Sequence, residues 1–491
     1  MELSGIVQSL ENKIILITGS TGFLLKLFVE KILRVQPNVK HLFLLLRDGD
    51  ASSPTQRLNK DVTGKELFRV LRKKHGLAFD SFISEKVTPI FGDVSLENLG
   101  IKDSDLEKKM HKEVHLVANF AATTNFDDRY DVALAVNTMG AKHVLNFAEK
   151  CENLELFLHV STAFVCTGET RGVILEKPLS QTLKESSKNL DIIEEEKKLI
   201  HRRLNELKAE QVSQKQETAA MKELRLERAK LYGWPNTYAF TKALGEITIG
   251  RHLNRNFPVV IVRPTAVTST YRDPFPGWIE GFKALDPMVI SVGKGKLPCF
   301  LGDNESFFDI IPGDMLVNSI IMMMVNHGKT NNLIFSRGDN NIIYQIGSST
   351  HTEPTKIIKL LEYAYDYFLE NPIWMGGDTD QTVKPVFFPS MSNFQLHINN
   401  NYTVPAKGQK VQFAKWLAEL YEPYVLFKGT FDTSASNELR MWSKAYYGPG
   451  EADIFDFDPK HIDWKDYMMN IHIPGLIKYV VKPHAGNISK L

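Results

Sequence analysis

Cysteine is scarce: Cys151, Cys166 and Cys299 are the only three in 491 residues, and no Cys-x-x-Cys spacing occurs. So sparse and odd a set excludes a disulfide net and a zinc framework, and it favours a reducing compartment. Charge of one sign is missing too. Lys plus Arg number 59 and Asp plus Glu 58, a formal balance of +1, which excludes the electrostatic footprint of a nucleic-acid binder. Long apolar runs are absent. The richest, 42–46 and 320–325, fall far short of the ~20 residues of a membrane-spanning helix and read as a buried strand and a buried helix face. Residues 1–13 carry neither a basic start with an apolar run nor Arg-rich character, so neither a secretory signal nor a transit peptide is expected. His-Glu-x-x-His does not occur, Gly293-Lys294-Gly295-Lys296 lacks the spacing of a phosphate loop, and no internal repeat is found; no metal site is expected.

What is present is ordinary globular composition, 43% hydrophobic and 24% charged, at a length for two or three domains or one large domain with a smaller partner. The first half alternates strand and helix. Apolar runs at 13–19, 41–47, 87–93, 114–122 and 154–163 read as buried strands, 258–264 as a sixth and 342–346 as a seventh. Between them, 22–34 and 131–150 show apolar residues at helical spacing. This alternation predicts a doubly wound α/β fold, a parallel sheet with helices on both faces. The charged, Gln-rich stretch 180–230 reads as a long helical insertion, partly exposed and without chemistry of its own. The polar segment 376–410 reads as a linker or loosely packed piece, and 416–491 as a small helical domain.

Thr18-Gly19-Ser20-Thr21-Gly22-Phe23 joins the first strand to its helix. Gly19 permits a tight turn. Gly22 lets backbone approach a pyrophosphate at the helix N-terminus, where unpaired N–H groups and the helix dipole favour anions. The third motif position, usually small, holds Leu25; a bulky side chain there costs about 1–3 kcal/mol by overpacking unless its neighbours have adjusted. Arg47 closes the second strand, where an acid would bind the ribose of NAD; an arginine suits the 2′-phosphate of NADP, against the alternative of a plain surface arginine. Asp93 closes the third strand and is a candidate for the adenine amino group, or a loop cap. Tyr238 and Lys242 stand four apart on one helix face. An ammonium beside a phenol draws its pKa down from about 10 towards the working range. Ser161-Thr162 ends the fifth strand and Arg263-Pro264 the sixth, at the mouth of the sheet where ligands bind. His159 sits in an apolar strand and reads as a core or supporting histidine. Cys166 has no base nearby in sequence and is a poor nucleophile candidate.

On these residues the chain resembles the plant alcohol-forming fatty acyl-CoA reductases, within the extended short-chain dehydrogenase/reductase superfamily. The marks, spread over nearly the whole chain, include Phe28-Val29-Glu30-Lys31-Ile32-Leu33-Arg34, Ala121-Ala122-Thr123-Thr124-Asn125-Phe126-Asp127 and His159-Val160-Ser161-Thr162-Ala163. Further marks are Gly233-Trp234-Pro235-Asn236-Thr237-Tyr238, Pro274-Phe275-Pro276-Gly277-Trp278, Leu420-Tyr421-Glu422-Pro423-Tyr424 and His472-Ile473-Pro474-Gly475-Leu476. The resemblance implies a Rossmann-type reductase domain over 1–375, carrying the insertion, and a smaller, mainly helical male-sterility-type domain over 385–491. It implies reduction of a long-chain acyl-CoA by two NADPH to a primary alcohol through a bound aldehyde, for wax, suberin or related surface lipids. Tyr238 would protonate the carbonyl oxygen, Lys242 would hold the ribose and lower the tyrosine pKa, and Thr162, or alternatively Ser161, would hydrogen-bond that oxygen. Asn137 would support the proton relay or its helix. Thr18, Gly19, Thr21, Gly22, Phe23, Arg47, Asp93, Asn119, Ala121, Lys242, Arg263 and Pro264 would meet the cofactor, with the backbone around Asn119 to Ala122 flanking it. Peripheral attachment to the cytosolic face of the endoplasmic reticulum is expected, with the polar stretch 393–403 standing where relatives are more apolar; oligomeric state is left open. Two other readings stand beside this one: an extended reductase or epimerase for another carbonyl substrate, and a scaffold in which Leu25 closes the cofactor turn.

Overall fold

The structure is a computed structural model that describes residues 5–19, 21–49, 53–166, 171–179, 192–251, 256–328, 341–349, 355–372, 382–401 and 408–481. Ser20 of the glycine turn, the start of the insertion and the last ten residues lie outside the described residues.

Seven strands form one sheet: β1 Ile14–Thr18, β2 His41–Leu46, β3 Val87–Phe91, β4 Leu116–Asn119, β5 Leu156–Val160, β6 Val259–Pro264 and β7 Asn341–Ile346. Their order is β3-β2-β1-β4-β5-β6-β7, and every pairing is parallel. All seven strands expected from the apolar runs are present. Strands β1, β4, β5 and β6 are buried at every position, as continuous apolar runs in a sheet covered on both faces must be.

Alternate residues of the strands feed two cores. Ile15, Ile17, Leu44, Ala118, Leu158 and Val262 join the larger one. Ile14, Leu16, Phe43, Val117, Phe157 and Ile261 point the other way, into a smaller core with Val144 and Leu145. The larger core takes the helix Phe23–Val35 and the helix Gly313–His327, whose every residue is buried. A helix apolar on all sides belongs in an interior rather than on a surface.

The same core includes Phe394, Leu417, Leu439, Phe455, Tyr467 and Leu476. The C-terminal part is thus continuous with the sheet's core. Two further parallel pairings bind it: Val386–Phe388 with Cys299–Leu301, and Lys428–Phe431 with Arg171–Ile174. Backbone meets backbone at Gly277 and Gly475, where a Cβ on Gly475 would overlap the Gly277 carbonyl. The expectation of a linker over 376–410 is corrected in its described portion, since 382–401 holds that strand and the helix Met391–Asn401. Phe394 and Ile398, four residues apart on one face, are buried there, an amphipathic signal masked by the many asparagines around it.

The insertion is a helical hairpin, Ile192–Ala209 and Gln214–Leu231, the second helix started by a Ser213/Gln216 capping box. It is not only solvated surface. Glu196 is fully buried, paired with Arg228 at 2.6 Å and accepting from the Tyr130 hydroxyl at 2.7 Å.

Candidate active site at the mouth of the sheet

The sheet order reverses between β1 and β4, and the crevice beyond their C-terminal ends is where ligands of such sheets bind. Gly19 leaves β1 with φ +80°, a left-handed conformation that glycine adopts without strain. A Cβ there would stand 2.7 Å from the Ala121 nitrogen, so the turn lies against the loop after β4. The Gly22 N–H closes the turn on the Gly19 carbonyl at 2.9 Å, and Gly22 begins the helix Phe23–Val35, which has no acid in its first turn. The positive end of that helix is left for an anion. Leu25 does not close the turn. It is fully buried in the larger core; two neighbours on its helix, Phe23 and Leu27, pack against Gly313 of the helix Gly313–His327, where a Cβ would come within 2.9 Å of both.

Arg47 is exposed just past β2, as a 2′-phosphate ligand would be. A second cation not singled out in the sequence accompanies it: the Arg57 guanidinium covers Gly49 and pairs with Asp61 at 2.7 Å. Asp93 is taken up in its own turn, where its carboxylate accepts from the Ser95 N–H at 2.8 Å. The loop-cap alternative describes it.

The parallel register sets Thr18 beside Asn119 and Asn119 beside His159. In-register residues of a parallel sheet face the same side, and this row of polar side chains lies on the smaller-core face, roofed by the helix Thr237–Arg251. The Thr18 hydroxyl donates to Asn119 Oδ1 at 2.6 Å, as does the Ala121 N–H at 3.2 Å. Asn119 Nδ2 stands 3.0 Å from His159 Nδ1, and His159 Nε2 stands 3.4 Å from Lys242 Nζ. Lys242 also donates to the Val160 carbonyl at 2.6 Å. Burial, reinforced by the neighbouring lysine, holds the His159 imidazole well below its ordinary range. Burial likewise draws Lys242 down to about 8, against the attraction of Glu246.

Tyr238 lies one helical turn before Lys242. Its phenol reaches the Thr162 hydroxyl, and Phe126 and Tyr424 roof it: the Phe126 ring is 5.9 Å from Tyr238 and 5.8 Å from Tyr424. Here one expectation is corrected. Loss of water pushes the Tyr238 phenol up to about 12, with only the Thr162 hydrogen bond opposing and no contribution from Lys242, whose bond at 2.6 Å goes to the Val160 carbonyl. Ser161, on the other side of the strand end, has a buried hydroxyl with no hydrogen-bond partner among the described residues, a group free to meet a ligand.

The helix that carries the pair is fixed at three places. Asn236 caps it, accepting from the Ala239 N–H at 2.9 Å and donating to the Tyr424 hydroxyl from the C-terminal part. Asn137 clamps it from below, donating to Thr241 Oγ1 at 3.0 Å while accepting from the Thr123 N–H at 2.9 Å; of its two expected roles, this geometry serves the helix. At Gly245 a Cβ would sit 2.6 Å from the Asn137 carbonyl. The insertion takes part as well, since Arg225 donates to the Asp128 carbonyl at 3.1 Å and holds the loop that carries Phe126.

Arg263 is not available to a cofactor. It is fully buried, pairs with Glu246 at 2.6 Å and donates to the Lys177 carbonyl at 3.0 Å and Cys166 Sγ at 3.4 Å; Pro264 beside it is buried in β6. The strand alternation turns Arg263 under the helix, and Glu246 could have been found as its partner from the i, i+4, i+8 series Tyr238, Lys242, Glu246. Tyr424, Asn236 and Arg225 carried no such signal, because tertiary folding alone brings them to the site.

A phenol that stays protonated, a hydroxyl beside it, a buried amine and an open glycine turn make a site able to give a proton to a carbonyl next to a bound dinucleotide. Comparison with known proteins agrees. The family described as male sterility protein, in its NAD-binding form, matches residues 17–320, and a second family of the same description matches 400–483. The chain is 46% identical to the probable fatty acyl-CoA reductase 5 of Arabidopsis thaliana, over 98% of this chain and 100% of that protein. It is 42% identical to the alcohol-forming fatty acyl-CoA reductase of Simmondsia chinensis, over 98% and 99%. Among solved structures, the terminal reductase domain of the myxalamid pathway aligns with TM-score 0.58 at 15% identity, covering 95% of this chain and 91% of that one. A reductase domain of a Mycobacterium tuberculosis peptide synthetase gives 0.58 at 16%, covering 97% and 95%; these two speak to the fold.

Proposed function

Since the chain belongs to the fatty acyl-CoA reductase family, we propose that it reduces a long-chain acyl-CoA to the primary alcohol with two NADPH, through an aldehyde held in the site. The observation that carries this is the contact of the Tyr238 phenol with the Thr162 hydroxyl, at the mouth of the sheet and one turn from Lys242. NADPH, when bound, supplies the hydride. Gly19 and Gly22 give its pyrophosphate a backbone cradle at the start of the helix Phe23–Val35, and the Ser161 hydroxyl is unsatisfied without a ligand. Exposed Arg47 favours the 2′-phosphate over a bare ribose.

The residues divide the work by charge. As the thioester carbonyl becomes an oxyanion, Tyr238 gives it a proton and Thr162 donates a hydrogen bond, both aimed at developing charge. A phenol held near 12 is in the donating form at neutral pH, which suits reduction. Phe126 and Tyr424 exclude water above it. When the thiohemiacetal collapses, its hydroxyl would return the proton to Tyr238 as C=O re-forms, the C–S bond breaks and CoA leaves as thiolate, so the same phenol can then protonate the aldehyde oxygen.

No helix among the described residues is long and apolar enough to cross a membrane. A peripheral contact would draw on exposed Leu396 and Trp416 of the C-terminal helices, and flotation with vesicles, lost in Trp416→Asp, tests it. Wax or suberin supply is the role this product class serves.

The test of the reaction is NADPH consumption by the purified protein with a series of acyl-CoAs, with products identified by mass spectrometry. Alcohol at two NADPH per acyl-CoA, abolished in Tyr238→Phe, is the expected result. Aldehyde at one NADPH would remove the second step. No turnover despite NADPH binding would remove acyl-CoA as the substrate, and equal use of NADH would remove the role given to Arg47.

A further inference from the structure

The row Thr18, Asn119, His159, Lys242 contains one group whose direction is not negotiable. The Ala121 backbone N–H can only donate, and it donates to Asn119 Oδ1 at 3.2 Å, alongside the Thr18 hydroxyl at 2.6 Å. The carboxamide is therefore oriented with its oxygen towards β1 and its NH2 towards β5. Asn119 Nδ2, a donor only, stands 3.0 Å from His159 Nδ1. That nitrogen must accept, so it carries no proton. A neutral imidazole has one N–H, which then resides on Nε2, the nitrogen that faces Lys242 Nζ at 3.4 Å.

An ammonium has three donors and no acceptor, and an N–H pointed at it meets only like partial charge. An amine has a lone pair. We infer that His159 is a positioning residue whose Nε2–H, oriented by Asn119, faces Lys242 beside the end of β5 and favours its neutral amine over its ammonium in the cofactor-free protein. The inference rests on the proposed function only in giving Lys242 a catalytic task; the polarity of the row stands without it.

The other charged and titratable groups around Lys242 do not undo this. On its own helix, Tyr238 carries no charge and Glu246 faces Arg263 of β6, which binds it at 2.6 Å. From β5, His159 is buried and uncharged. All four side chains of the row are buried, none more than 1% exposed, so no water stands in to reverse a donor. The lowered range of Lys242, about 8, lies in the same direction; the amine outweighs the ammonium only above it. The consequence for the site is that Lys242 holds its proton weakly until an anionic or hydroxyl-bearing ligand arrives to stabilise the ammonium.

Nuclear magnetic resonance on the full-length, cofactor-free protein tests this without turnover. Imidazole 15N shifts of His159, identified by loss of its signals in His159→Gln, should show Nδ1 bare and Nε2 protonated. The 13Cε signal of Lys242, identified by Lys242→Met, should titrate well below an ordinary lysine. In His159→Phe that midpoint should move up by about one pH unit or more. In His159→Gln, whose amide can accept from Asn119 and donate to Lys242, it should stay low. A proton on Nδ1, an ordinary Lys242 midpoint in the wild type, or a midpoint unmoved in His159→Phe overturns the inference. Should His159→Phe not fold, the two wild-type measurements decide alone. A protein that fails to reduce acyl-CoA yet shows the bare Nδ1 and low midpoint would refute the proposed function and leave this inference standing.

Discussion

Leu25 shows how a single residue can mislead when only its motif is read. The glycine-turn pattern expects a small side chain, and a leucine there suggests a blocked cofactor turn. In the fold it is a core residue with no exposed surface. Leu25→Ala should therefore not improve cofactor binding; it should cost about 2–5 kcal/mol of stability, as core truncations do, seen as a lower denaturant midpoint at unchanged NADPH affinity. The catalytic hydroxyls separate in the same way. Thr162→Val should lower kcat by about 10²-fold or more, since Thr162 touches the Tyr238 phenol, whereas Ser161→Ala should act mainly on cofactor affinity; steady-state kinetics and NADPH titration distinguish them. Lys242 adds a pH dependence. Its folded value near 8 lies below the ordinary 10.5, so the unfolded chain binds more protons between those values and stability rises with pH across that window. Below about 8 the full penalty is present, and above 10.5 none. Relative to Lys242→Met, the wild type should gain about 3 kcal/mol from pH 8 to 10.5, by the ~1.4 kcal/mol per pKa unit; equal pH dependence in both proteins would refute the lowered value.

Elements were the most legible scale. All seven sheet strands could be read from apolar runs because a parallel sheet buried on both faces leaves no polar alternation to confuse them. The helix bearing Tyr238 and Lys242 was legible from the four-residue spacing of the pair. Its supports were not: Asn236 meets Tyr424 across 188 positions of chain, and no local pattern encodes such a contact. The polar row under the helix had a signal that went unused. Once β1, β4 and β5 are aligned in parallel, Thr18, Asn119 and His159 fall in register, and a polar residue near the end of each of three neighbouring buried strands marks a shared network. The Met391–Asn401 helix was hidden because only two of its residues are buried. Two predictions belong to this scale. Asn236→Ala should cost about 0.5–2 kcal/mol through the lost cap, measurable by chemical unfolding. Gly245→Ala places a Cβ 2.6 Å from the Asn137 carbonyl, so it should push the helix off its seat and lower kcat more than NADPH affinity.

The whole molecule is bound into one body by contacts between its last third and the chain before it. A shared apolar core, two inter-segment strand pairings and the Gly277–Gly475 backbone contact leave no seam at which the C-terminal part would lift away. Gly475→Ala should therefore destabilise the entire protein, by about 2 kcal/mol or more as an overpacked contact with backbone that cannot yield, and unfolding should remain a single transition rather than split in two by calorimetry. The helix Gly313–His327 carries this furthest. It is buried on every side, and Asn318 on it donates to the Asp456 carbonyl at 2.8 Å, so part of its cover is encoded more than a hundred residues later. On the ribosome 129 residues separate His327 from Asp456, about 6–26 s at ~5–20 residues per second. For that interval the nascent chain holds a largely apolar helix with one side bare. Chains arrested near residue 330 should bind a chaperone that released full-length protein does not.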